Sequence, residues 1–128
     1  MKSLIPALIK SRRLFPTIKK DSKNPYFKSK YATLDTVLDA VTPVLCDNGL
    51  AIIQTTEVID NKPSLVTTLW HESGESISSN YPLPEISDSQ KFGAAITYAR
   101  RYSLCALLSI TAEEDDDGNA VKTKKTEH

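Results

Sequence analysis

The sequence predicts an α+β domain in which a three-stranded antiparallel β-meander packs on a long C-terminal helix, a β-β-β-α core preceded by a helix and a basic N-terminal arm. Two observations carry this. The runs LAIIQTTEVI (50–59), SLVTTLWH (64–71) and SISSNYPL (76–83) are rich in β-branched and aromatic residues, and only short turn-forming links such as DNKP and ESGE separate them. Connections that short leave no room for a crossover, so consecutive strands must run antiparallel. On either side of these runs the apolar period lengthens to that of a helix. With 128 residues the chain can bury one core of its own, about two-thirds of its unfolded surface, and has no room for a second catalytic domain. The expected organisation is an N-terminal helix and basic arm over 1–30, a single core over 31–112, and an acidic, polar tail over 113–128.

The elements follow in chain order. MKSLIPALIKSRRLF opens the chain with a basic, apolar stretch that Pro6, Lys10 and Ser11-Arg12-Arg13 interrupt. It is too short for the apolar centre of a signal peptide and reads as an amphipathic helix, and no later segment is suited to spanning a membrane. Residues 16–30, PTIKKDSKNPYFKSK, combine two prolines, an Asn-Pro turn signal and several lysines with little apolar periodicity, which predicts an arm or long loop. From Tyr31 onward Leu34, Val37, Leu38, Val41 and Leu45 form one helical stripe, with Thr33 placed to cap its start and Gly49 to close it. Pro43 lies inside the stripe, so a kink or break is expected near Thr42.

After the meander and the PEISDS break, residues 89–110 form the last helix. On a helical wheel Phe92, Ile96, Ala99, Ser103, Ala106, Leu107 and Ile110 make a sheet-facing stripe. Leu104 and Leu108 fall on the far side, and Tyr98 and Cys105 between, leaving little perimeter for water. Such a helix needs cover on more than one side, and a second copy of the chain is the expected source, through this helix and the sheet edges.

The formal net charge of zero conceals a strong asymmetry. Residues 1–31 carry nine Lys/Arg against one acid, residues 32–112 four against nine, and residues 113–128 three against six. A basic front end of this kind suits an anionic partner. Cys46 and Cys105 show neither CxxC nor zinc spacing and read as reduced thiols. The four glycines are scattered and build no phosphate loop, which argues against ATP-driven work. His71 and His128 lack the partner spacing of a zinc helix, and no nucleophile is set beside a base. Five successive carboxylates, Glu113 to Asp117, invite a metal-dependent nuclease reading. Phosphoryl-transfer metal sites, however, gather carboxylates from separated positions, whereas a contiguous run is ordinarily a solvated tail. No cofactor or metal is expected, and the chain is not expected to be an enzyme.

The remaining candidates are basic and aromatic. Arg100 and Arg101 stand side by side in the apolar last helix, where a guanidinium is either paired with a carboxylate, for which Asp35, Asp39 and Asp88 are the candidates, or directed at an anionic ligand. Tyr98 and Tyr102 flank Arg101, and in the arm Tyr26, Phe27 and Tyr31 interleave with Lys28 and Lys30; Lys62 adds a cation at a strand turn. Rings that stack on bases beside cations that follow phosphates suit single-stranded nucleic acid. A bland reading stays open for the arm, in which Tyr26 and Phe27 only staple it to the domain, and Trp70 reads as core or interface.

Four blocks taken together, KNPYFKSKYATLDTVLDAV, GLAIIQTT, LVTTLWHESGESISSNYPLP and GAAITYARRYSLCALLSITAEEDDDGNA, resemble the Erf (essential recombination function) single-strand annealing proteins of bacteriophages and prophages, over about residues 22–120. The resemblance implies ATP-independent annealing of complementary strands by a ring or filament of subunits in the bacterial host cytoplasm, and kinship with the β-β-β-α core of the eukaryotic strand-annealing mediator. It also implies that Arg100 and Arg101 lie in the DNA groove. Such proteins often continue beyond the acidic block, so contact with a host single-strand-binding protein or a phage exonuclease is a weaker implication. A nuclease using Glu113 to Asp117 and a purely structural phage oligomer with intersubunit salt bridges are the alternatives.

Overall fold

The computed structural model describes residues 1–23 and 30–113. Three helices and a three-stranded antiparallel sheet form the domain: α1 (Leu4–Leu14), a two-residue pair β1 (Ser22–Lys23) and β2 (Lys30–Tyr31), α2 (Leu34–Asp47), the meander β3 (Leu50–Ile59), β4 (Lys62–His71) and β5 (Ser76–Pro82), and α3 (Ser89–Leu108). The expected core order of helix, three strands and helix is therefore present.

The β3–β4 hairpin pairs Ile59 with Lys62 across a two-residue turn in which Asp60 and Asn61 both have positive φ, 53° and 63°. That is the backbone of a turn whose twist matches the strands, and Asp and Asn tolerate it. Gly49, at φ +73°, follows α2, and a Cβ there would meet the Glu72 side chain at 2.8 Å.

Alternation along the strands sorts the sheet into two faces. Leu50 and Ile52 on β3, Leu65, Thr67 and Leu69 on β4, and Ile77 and Tyr81 on β5 face the helices. Ile53 and Trp70 point the other way and are exposed. One core joins Leu50 and Leu69 with Leu4 of α1, Val37, Val41 and Leu45 of α2, and Leu104, Cys105 and Leu108 of α3. A smaller cluster seats Phe92, Ile96 and Ala99 on Leu65, Tyr81 and Leu83.

Three expectations change here. Leu104 and Leu108 are fully buried within one chain, because α1 and α2 supply the second cover that the apolar perimeter of α3 requires. A second copy is not needed to explain that helix. Ala106, placed on the sheet-facing stripe, is exposed, since the buried surface swings round α3 once α2 joins the packing. α2 runs unbroken through Pro43. The proline is on the solvent side of the helix, so the carbonyl it leaves without a donor can be met by water.

The arm is also more closely bound than expected. Phe15 and Ile18 pack on the main core, and Ser22 and Lys23 pair with Tyr31 and Lys30. The N-terminus of α1 is closed from a distance: Ser3, at the cap position, makes no side-chain cap, and the Glu75 carboxylate accepts instead from the backbone N–H groups of Ser3 (3.1 and 3.2 Å) and Leu4 (2.8 Å). Those hydrogen bonds, led by that from Leu4, hold the Glu75 carboxyl below the ordinary value.

Candidate nucleic-acid interface

The site is built on α3, whose start is secured by Asp88, the cap that accepts from the N–H groups of Gln90 and Lys91. Residues four apart on a helix stand above one another, so Tyr98 and Tyr102 form a pair on its outer surface. Their rings stack with centroids 6.0 Å apart and an interplanar angle of 18°, and they are 50% and 52% exposed. Tyr81 of β5 meets Tyr102 edge-on at 5.9 Å.

On the other side of Tyr98 lies Arg101. Its guanidinium is 5.7 Å from the Tyr98 ring centroid and 4.5 Å from that of Tyr31, so it sits between two aromatic faces. Nη1 donates to the carbonyl oxygen of Ala32 at 3.2 Å and Nη2 pairs with Glu113 Oε1 at 2.9 Å. Tyr81, Tyr102, Tyr98, Arg101 and Tyr31 thus make one continuous row across β5, α3 and β2, and two of its rings are open to water. Exposed aromatic rings beside a cation are the combination that suits an unpaired nucleobase and its phosphate.

Glu113 reaches Arg101 because its backbone is docked. Ala112 is buried, its carbonyl oxygen accepts from the Ala32 N–H at 2.6 Å, and Glu113 bridges Tyr31 in antiparallel fashion. The carboxylate that takes Arg101 is therefore Glu113, not Asp35, Asp39 or Asp88. The Arg101 side chain is 12% exposed and that of Glu113 49%.

Arg100 turns away from this row. Its Nε donates to Gln54 Oε1 at 3.2 Å, while Gln54 Nε2 donates to the Arg100 carbonyl oxygen at 3.0 Å and to Thr67 Oγ1 at 3.1 Å. The adjacent arginines therefore serve different surroundings, because neighbouring positions on a helix diverge by about 100°. Lys30 and Tyr31 form β2. Lys62 begins β4 on the alternation of Trp70, which places it on the opposite face of the sheet from Tyr81. Tyr26, Phe27 and Lys28 lie outside the described residues, as do residues 114–117 of the acidic run.

Two members of this neighbourhood escape a reading by residue type. Tyr81 closes the third strand run with nothing in the sequence to link it to Tyr102. Gln54 does carry a signal, being the polar residue in the inward alternation that begins Leu50 and Ile52. Both cysteines are free, Cys46 exposed and Cys105 buried on the inner side of α3. Burial, with Glu113 nearby, pushes the Cys105 thiol up to about 11. Among the described residues no group of three or more His, Cys, Asp or Glu side chains is arranged to hold a metal ion, and no helix is long and apolar enough to cross a membrane.

Comparison with known proteins matches residues 6–128 to the ERF superfamily. No curated protein and no solved structure gives a significant match.

Proposed function

The chain belongs to the ERF superfamily, and on that premise we propose that it binds single-stranded DNA along the tyrosine–arginine row of α3 and anneals complementary strands without ATP, as a homo-oligomer. The observation that carries the reading is the exposed Tyr98–Tyr102 stack continuous with Arg101 and Tyr31. Rings stacking on any base give little sequence preference, and they cannot reach bases inside a duplex. Arg101 takes a phosphate, Lys30 adds a cation from β2, and Tyr26, Phe27 and Lys28 are assigned to the same role by residue type alone. Arg100, held by Gln54, stands beside the track, and Lys62, on the opposite face of the sheet, is left out of it. Strands held by backbone and stacking keep their pairing edges free to test a partner strand, so base pairing alone supplies the driving force.

Self-association in this proposal runs through the edges of the sheet. β3 and β5 are its outer strands, and an outer strand offers unpaired N–H and C=O groups to another copy. The test is oligonucleotide binding by fluorescence anisotropy together with annealing of a labelled complementary pair, in EDTA and without nucleotide. Tight binding of a mixed-sequence single strand, weak binding of the duplex and accelerated annealing are expected, with affinity falling as salt rises by a slope of about −0.7 per phosphate engaged. Equal affinity for duplex, or degradation of the DNA that EDTA abolishes, overturns the reading, the second in favour of a nuclease.

A further inference from the structure

We infer that Glu113 occupies the phosphate seat at Arg101 in the free protein, so that single-stranded DNA enters by exchanging its phosphate for the chain's own carboxylate. The inference rests on the proposed binding of single strands at the tyrosine–arginine row. Arg101 is the guanidinium within that row, it is mostly shielded from water, and Nη2 is taken by Glu113 Oε1 at 2.9 Å. The carboxylate already neutralises the charge that a phosphate would pair with, and two anionic groups on the same edge of one guanidinium repel each other, so carboxylate and phosphate compete for Arg101.

The way the pair is built makes exchange easy. Half of the Glu113 side chain is in water, which screens the attraction and gives the released carboxylate a hydrated place to go. The backbone at Ala112 and Glu113 need not move, because the Ala112 carbonyl oxygen stays bonded to the Ala32 N–H and Glu113 stays bridged to Tyr31. Arg101 likewise keeps its bond to the Ala32 carbonyl oxygen and its place over Tyr31 while the carboxylate leaves. A rotamer change at Glu113 is thus enough to free the seat. Glu113 acts as a built-in competitor: it holds the guanidinium in its binding pose between the rings, and it sets a threshold that lone or weakly held anions do not cross. Four further carboxylates follow directly in the sequence, from Glu114 to Asp117.

The experiment is a double-mutant cycle on the full chain, measuring affinity for a single-stranded oligothymidylate at one fixed salt concentration for wild type, Glu113→Gln, Arg101→Ala and the double variant. An exposed or half-exposed ion pair is a weak competitor, so Glu113→Gln is expected to bind about two- to fivefold more tightly than wild type, with a melting temperature lowered by at most a few degrees as the same pair is lost from the free protein. In the Arg101→Ala background the same substitution is expected to change nothing, because there is no seat to vacate. Glu113→Ala serves as a second vacating variant and is expected to give the same rise. A rise of equal size with and without Arg101 overturns the exchange and leaves only general charge repulsion. A fall in affinity and melting temperature in both Glu113 variants overturns it in favour of a purely structural clamp. Loss of single-strand binding in all proteins, wild type included, removes the proposed function itself, whereas normal wild-type binding with an unresponsive Glu113 removes only this inference.

Discussion

Arg101 shows why a charged residue on an otherwise apolar helix must be judged by its surroundings. Truncating a guanidinium that neutralises a fully buried carboxylate costs about 3–5 kcal/mol, because a bare charge stays behind. The partner here is half in water, so Glu113 can hydrate when Arg101 is removed. Arg101→Ala is therefore expected to keep its fold and lose about 1–2 kcal/mol, the sum of a screened pair, one hydrogen bond and the contacts with two rings. Its melting temperature should drop by several degrees while single-strand affinity falls and the salt slope shrinks by about one contact per engaged subunit. Arg101→Lys is expected to recover part of the affinity, since a point charge still meets a phosphate but cannot spread a planar group between Tyr31 and Tyr98. Calorimetry and anisotropy on the same preparations check both statements; precipitation of the alanine variant counts against a half-exposed pair. The cysteines give a second residue-level test. With its thiol pushed up to about 11, Cys105 is almost wholly protonated at pH 8, and it is buried. A thiol reagent at that pH is expected to label Cys46 quickly and Cys105 only as the chain unfolds.

At the level of elements, α1 is held to the domain by a carboxylate from the β4–β5 turn as well as by Leu4. Both cap donors, the N–H groups of Ser3 and Leu4, converge on Glu75, and a negative charge there also opposes the positive end of the helix. The folded state holds the Glu75 carboxyl below its ordinary value, so it favours the ionised form. Its contribution is accordingly complete above the unfolded value, about 4.3, and is lost as pH falls through the lowered folded value. Glu75→Gln is expected to melt below wild type by a constant margin between pH 6 and 8, and the margin should close as the pH drops below about 4. A margin that is flat across the whole range would mean that the carboxylate charge plays no part in holding α1.

For the whole molecule, the decisive feature is that all three helices lie on one side of the meander. This arrangement turns Leu104 and Leu108 into core residues. Leu104→Ala is expected to destabilise the protomer by about 2–5 kcal/mol at any concentration, as a cavity does. Were Leu104 an intersubunit contact, the same change would lower the oligomer's mass and leave a stable protomer. Denaturant titrations at two protein concentrations separate these outcomes. The proposed assembly then rests on the free strand edges, and light scattering with and without an oligonucleotide is expected to show a species many protomers in mass; a stable monomer at micromolar concentration contradicts it. The open sheet face with Ile53 and Trp70 remains exposed in the single chain.

Period and turn chemistry by themselves determined the order of the core elements, the antiparallel meander, the Thr33 start of α2 and its stripe of Val37, Val41 and Leu45. All of these depend on neighbours in sequence, where a two-residue turn or a side chain three positions away leaves little choice. The pairing of basic and aromatic residues around Arg101 was likewise legible, because Tyr98, Arg101 and Tyr102 share one helix. What only the tertiary structure decided depends on contacts across long sequence separations. α2 and α1 cover α3, Tyr81 joins the aromatic row from another strand, Gln54 takes Arg100, and Glu113 folds back from beyond the helix onto Arg101. A helix's apolar perimeter reports how much surface must be covered and is silent on what covers it. An arginine's charge likewise demands an anion without naming one, so the choice between Asp35, Asp39, Asp88 and Glu113 belonged to the docking of Ala112 on Ala32.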